Sequence, residues 1–129
     1  VRKGYKQKAS KLKLDLETYL KYRVGNLRGS IKSKKRGTEI TIVGQDLVEL
    51  YNLQKGKCFY SGIEIIHSPG IHAYNSISVD RLDPNKGYTK ENIVLCAFAI
   101  NSFKGGLNEQ EFKELIKQII PALEQYSKN

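Results

Sequence analysis

Apolar residues recur along the chain with two different periods, and the changes of period mark the elements. Leu12, Leu16, Leu20, Val24, Leu27 and Ile31 return every three or four residues. That spacing predicts a helix from Ser10 to about Lys35 with one apolar and one basic face. Ser10 is placed to cap its start and Gly37 to stop it after Lys34-Lys35-Arg36. Gly25 and Gly29 weaken its middle, so two shorter helices are an alternative. Residues 39–43 alternate and read as a short strand or an extended lead-in. Asp46 reads as the cap of a helix through Gln54, with Leu47, Leu50, Tyr51 and Leu53 inward.

From Cys58 the period shortens to two. Cys58-Phe59-Tyr60 with Ile63, Ile65 and Ile66 predicts a strand region broken at Ser61-Gly62, and residues 77–82 read as its partner. A turn-rich loop, 67–75, separates them, and Asp83-Pro84-Asn85-Lys86-Gly87-Tyr88 is a second turn cluster. Residues 91–103 are almost wholly apolar and read as a helix, or as a short extended lead-in followed by one. Gly105-Gly106 stops that run. A last helix follows from about Glu109, capped by Asn108 and striped by Phe112, Leu115, Ile116, Ile119, Ile120 and Leu123, with Pro121 kinking or interrupting it. These elements make an α+β chain of one domain's size, 129 residues.

Charge divides the chain where periodicity does not. The net charge is +9, but residues 1–37 hold 13 Lys and Arg against Asp15 and Glu17, a charge of +11. Residues 38–129 hold the other nine bases and 11 acids, a charge of −2. The expected organisation is therefore a basic helical arm over 1–37 and a body over 38–129, with a core at 47–105 and a C-terminal helix at 108–127. A polyanion is the expected partner of the arm, since each neutralised phosphate releases condensed counterions. A solvated basic tail is the alternative. No run approaches the roughly 18–20 apolar residues of a membrane span, and no signal peptide is expected. Two cysteines, Cys58 and Cys96, are too few for a disulfide scaffold. The expected setting is reducing and cytoplasmic, in a bacterial or virus-infected host cell, without secretion. Because no Met occurs, the chain is expected to begin after its initiator or to belong to something longer.

The residues that carry chemistry lie in one stretch: Ser78-Val79-Asp80-Arg81-Leu82-Asp83-Pro84, Gly87-Tyr88-Thr89, Glu91-Asn92-Ile93 and Asn101-Ser102-Phe103-Lys104-Gly105. In order and spacing this stretch, with the lead-in from Leu47, resembles the HNH endonucleases, and most of all their small phage-type and homing-type members. Five short matches in sequence are specific together, whereas each alone is weak. The resemblance implies a ββα-metal core and a phosphodiester hydrolase acting on DNA. It implies Asp80 and Asn101 as oxygen ligands of one Mg²⁺ or Mn²⁺ ion, whose other positions are filled by phosphate and water. Asn92 matches the family's middle Asn, which would hydrogen-bond the strand-to-helix loop. Lys104, one helical turn past Asn101, would touch a phosphate oxygen. Lys32, Lys34, Lys35, Arg36 and Arg28 would grip the DNA backbone. The plain alternative for Asp80 is an ion pair with Arg81 or another basic neighbour on a surface strand.

The chain departs from the family pattern in two places. Where relatives carry a general-base His after the acidic residue, this chain has Arg81, which cannot accept a proton near neutral pH. Arg81 would instead stabilise transition-state charge, and His72 becomes the first candidate for the base, ahead of His67. Tyr60, Tyr74, Tyr88 and Asp83 are further groups that could hold the attacking water. Many relatives also carry zinc cysteines in two CxxC pairs. Here Cys58 keeps one position, and Ala97 and Ile100 fall at another pair, so zinc is not expected. The arginine also supports a rival expectation, a DNA-binding protein that keeps the fold without catalysis. Ile119, Ile120 and Leu123 would serve a homodimer as readily as a core, and no membrane partner is expected.

Overall fold

The computed structural model describes residues 15–33, 38–67 and 73–129. Within them the chain is mixed α+β: helices α1 (Leu16–Ser33) and α2 (Gly44–Leu53), an antiparallel hairpin of β1 (Ile77–Arg81) and β2 (Ile93–Ala97), then helices α3 (Phe98–Lys104) and α4 (Glu109–Ser127). Leu20 and Val24 of the predicted apolar stripe are buried on α1 with Tyr19, and Leu16 and Leu27 pack beside them. They join one core with Leu47, Cys58, Ile65, Ile77, Val79, Ile93 and Leu95. The described part of the basic segment is thus packed into the body, and the division near residue 37 is one of charge. Gly44 permits the close α1–α2 approach, since a Cβ there would lie 2.2 Å from Lys21 Cγ. Arg28 Nη2 also ties α1 down by donating to Ile42 O at 3.0 Å.

Several expected elements take a different form. Asp46 is not the cap of α2. Val43 holds that position, and Asp46, three residues on, accepts from Val43 N at 2.8 Å. Residues 39–43 form a lead-in with a single parallel bridge, Ile40 to Tyr88, rather than a strand. The 58–66 region is not the partner of β1: it makes only isolated bridges, Lys57 to Glu64 and Ile66 to Ser76. The partner is β2, in the register Ile77↔Ala97, Val79↔Leu95 and Arg81↔Ile93. Residues 91–103 therefore take the extended-then-helical form. The outer edge of β2 at Leu95 is satisfied by Gln54, which donates to Leu95 O at 2.8 Å and accepts from Leu95 N at 3.0 Å, and by Phe59 N, which donates to Leu95 O at 3.0 Å.

The start of α3 is fixed to the start of β1. Phe98 N donates to Ser76 O at 2.8 Å, and Ala99 N to Tyr74 O at 2.9 Å. Asn108 caps α4 as expected: its side chain accepts from Glu111 N at 2.8 Å, while Glu111 accepts from Asn108 N at 3.1 Å. Pro121 does not end α4, which runs on to Ser127. Phe112 is the buried residue of α4; Ile120 and Leu123 are about half exposed. No helix among the described residues is long and apolar enough to cross a membrane.

Candidate functional site

Successive strand residues point to opposite faces, so Ser78 and Asp80 share one face of β1 while Val79 and Arg81 share the other. On α3, Asn101 and Lys104 stand one turn apart on one side. The two pairs meet. Asn101 Nδ2 donates to Ser78 Oγ at 2.5 Å, and Lys104 Nζ lies 3.0 Å from Asp80 Oδ2. Lys104 also donates to Arg81 O at 3.0 Å. Both charges are withdrawn from water, with Asp80 7% and Lys104 1% exposed.

A third residue completes the group. Tyr60 OH donates to the same Asp80 Oδ2, and its ring stacks edge-on against Phe112 at 5.2 Å. Burial first, and then the hydrogen bond to and charge of Asp80, push the Tyr60 phenol far above its usual value of 10.0. Burial likewise raises the Cys96 thiol, with Asp80 the next cause. Cys96 is fully buried and Cys58 nearly so, both as free thiols.

Lys104 is the basic neighbour with which Asp80 pairs, but the pair is buried rather than on a surface strand. Two bonds converge on Asp80 Oδ2, and Asn101 spends its amide nitrogen on Ser78. The oxygens left over, Asp80 Oδ1 and Asn101 Oδ1, are the kind of hard donors that Mg²⁺ or Mn²⁺ takes when it keeps most of its waters. Among the described residues there is no cluster of three or more His, Cys, Asp or Glu that could hold a metal ion.

The other expected site residues lie elsewhere. Arg81 is turned to the opposite face, with Nη1 donating to Lys86 O at 3.1 Å and the guanidinium 4.9 Å from the Tyr88 ring centroid. Asn92 is a loop clasp, but the loop it holds joins β1 to β2 rather than strand to helix. Its side chain accepts from Asp83 N at 2.9 Å and donates to Asp83 O at 3.0 Å and Gly87 O at 2.9 Å. His67 lies beside Tyr19, ring centroids 6.0 Å apart. His72, Lys34, Lys35 and Arg36 fall outside the described residues, as does the side chain of Lys32. Arg28 is engaged with Ile42 O. The sequence assigns no separate role to Ser78 and offers Tyr60 only as a group that could hold water. The period-two spacing of Ser78 and Asp80, set against the one-turn spacing of Asn101 and Lys104, is the signal that pairs them. No family model, curated protein or solved structure matches the chain.

Proposed function

We propose that this protein is a divalent-metal-dependent endonuclease of the HNH type, which hydrolyses DNA phosphodiester bonds on the β1–β2–α3 unit. The observation that carries the reading is the meeting of Asp80 with Lys104 and of Ser78 with Asn101. It supports a site in which both oxygen donors come from one strand and the helix that follows the hairpin. Asp80 and Asn101 would hold one Mg²⁺ or Mn²⁺ ion, which when bound stabilises charge on the scissile phosphate and the departing 3′ oxygen. Tyr60 and Lys104 orient the Asp80 carboxylate by fixing Oδ2, and Ser78 orients the Asn101 amide. In this reading His72 is the base, because Arg81 cannot take a proton. The basic segment, Lys32, Lys34, Lys35 and Arg36 included, grips the DNA backbone inside the cell. A second copy, seated on the α4 face at Ile119, Ile120 and Leu123, would bring two sites to a duplex.

The test is plasmid nicking with Mg²⁺ and Mn²⁺, with Mn²⁺ binding measured in parallel. Wild type should nick, and EDTA should stop it. Asn101→Ala should lose both nicking and Mn²⁺ binding while keeping its fold. No cleavage of plasmid, branched or single-stranded DNA with either ion would sink the proposal.

One observation favours a second reading, a DNA-binding protein without catalysis. The Asp80 charge is already matched by a buried ammonium at 3.0 Å, and Arg81 stands where relatives carry the base. That reading requires salt-sensitive DNA binding that is indifferent to EDTA and accompanied by no nicking.

A further inference from the structure

Arg81 is the motif residue that the Asp80 side of the hairpin does not use. Its side chain leaves β1 on the opposite face, where Tyr88 and Lys86 O hold the guanidinium. An arginine has five N–H donors in a rigid fork, and only one of them is engaged in a described hydrogen bond. The space beside it is a polar cavity of about 440 Å³, walled by Thr38, Glu39, Arg81, Lys86, Gly87 and Thr89. The cavity follows from the local backbone. Tyr88 N donates to Glu39 O at 2.8 Å and Thr41 N to Tyr88 O at 3.1 Å, which brings the 38–41 segment alongside the β1–β2 loop. Only a glycine at 87 permits that approach, since a Cβ there would lie 2.4 Å from Glu39 O.

The wall carries two cations, Arg81 and Lys86, against one carboxylate, Glu39, with two threonine hydroxyls and the Asn85 amide as neutral polar groups. A planar guanidinium braced by an aromatic ring suits the paired oxygens of a phosphate. A small free anion would satisfy the same donors. A polymer is favoured by the charge of the whole chain, because +11 is carried by the 37 residues that lead up to Thr38.

We infer that this cavity is a phosphate seat for a nucleic-acid strand, with Arg81 and Lys86 holding one backbone phosphodiester. It lies on the face of β1 away from Asp80, so it acts in binding whether or not the strand is cut.

The inference is tested on the whole chain in EDTA, by fluorescence anisotropy with a short labelled duplex across a range of salt. Arg81→Ala and Lys86→Ala should each weaken binding on the order of three- to tenfold. Each should also flatten the slope of log affinity against log salt, and the double variant should flatten it by about 0.9, the value for the one phosphate they share. Lys117→Ala, which removes a charge from exposed α4, controls for net charge and should leave the slope unchanged. Thermal melts establish that the variants fold, and Lys86 is exposed enough for its variant to do so. The inference is overturned if both folded variants keep the wild-type affinity and slope, or lose no more than Lys117→Ala. It is also overturned if inorganic phosphate binds in an Arg81-dependent way while duplex binding ignores both variants. Loss of nicking in Arg81→Ala with unchanged duplex binding would return the arginine to the chemistry and overturn the seat.

Discussion

Lys104 and Asp80 are worth more to each other than either is to the surface, because neither can be rehydrated when its partner goes. Truncating one partner of such a pair strands a charge in a low-dielectric setting at a cost of about 3–5 kcal/mol. Lys104→Ala should therefore lower the unfolding free energy by about that amount, read from the urea midpoint. The double variant Asp80→Asn with Lys104→Met should cost much less than the sum of its parts, since no bare charge remains. Tyr60 belongs to the same group and gives it a pH dependence. Its folded value lies above the ordinary 10.0, so the native state keeps a proton that the unfolded chain releases. That contribution is complete below about pH 10 and fades as pH rises further. Cys96, raised above its usual 9.0, and Tyr19, raised by burial, act with the same sign. Stability should fall on the alkaline side. Tyr60→Phe should reduce this alkaline loss, read as a shallower fall of the urea midpoint with rising pH than in the wild type.

At the scale of elements, the hairpin owes its shape to what closes it. Asn92 is 6% exposed and makes three hydrogen bonds across the loop between the strands. Asn92→Ala deletes all three and leaves buried backbone groups short of partners, a loss of about 2–4 kcal/mol at roughly 1 kcal/mol per bond plus desolvation. Hydrogen exchange should accelerate first at Asp83 N. β2 explains why the pairing was hard to foresee. Ile93, Val94, Leu95, Cys96 and Ala97 are all buried, so the strand shows no alternation and its run continues unbroken into α3. A fully buried strand and a buried helix look alike in such a run. By contrast α1 and α4 were legible, because each leaves one side in water and so prints a 3.6-residue period. Asn108 was legible too, since a capping box is a local arrangement of two side chains.

For the whole molecule, the charge split and the packing describe different boundaries. The +11 of the first 37 residues suggests a separable arm, yet Tyr19, Leu20 and Val24 lie in the same core as both strands. Helix α4 is the element that packs least, with Ile120 and Leu123 about half exposed beside Ile100 and Phe103. If a second copy covers this groove, sedimentation should show a concentration-dependent dimer that Leu123→Glu abolishes without changing the melting temperature. A monomer at all concentrations would remove the homodimer from the proposed function and leave nicking as its expected product.

By itself the sequence determined the amphipathic helices, the cap at Asn108, the basic segment and the order of the motif residues. Each of these depends on side chains near one another in the chain, or on composition alone. Tertiary structure decided which strand β1 pairs with, that Lys104 would meet Asp80, and that Arg81 would face away from it. Those outcomes depend on which residues a fold brings together across 23 positions of chain, as between Arg81 and Lys104 or Ser78 and Asn101. They depend too on the alternation of a strand, which sends adjacent residues to opposite faces whatever their joint place in a motif.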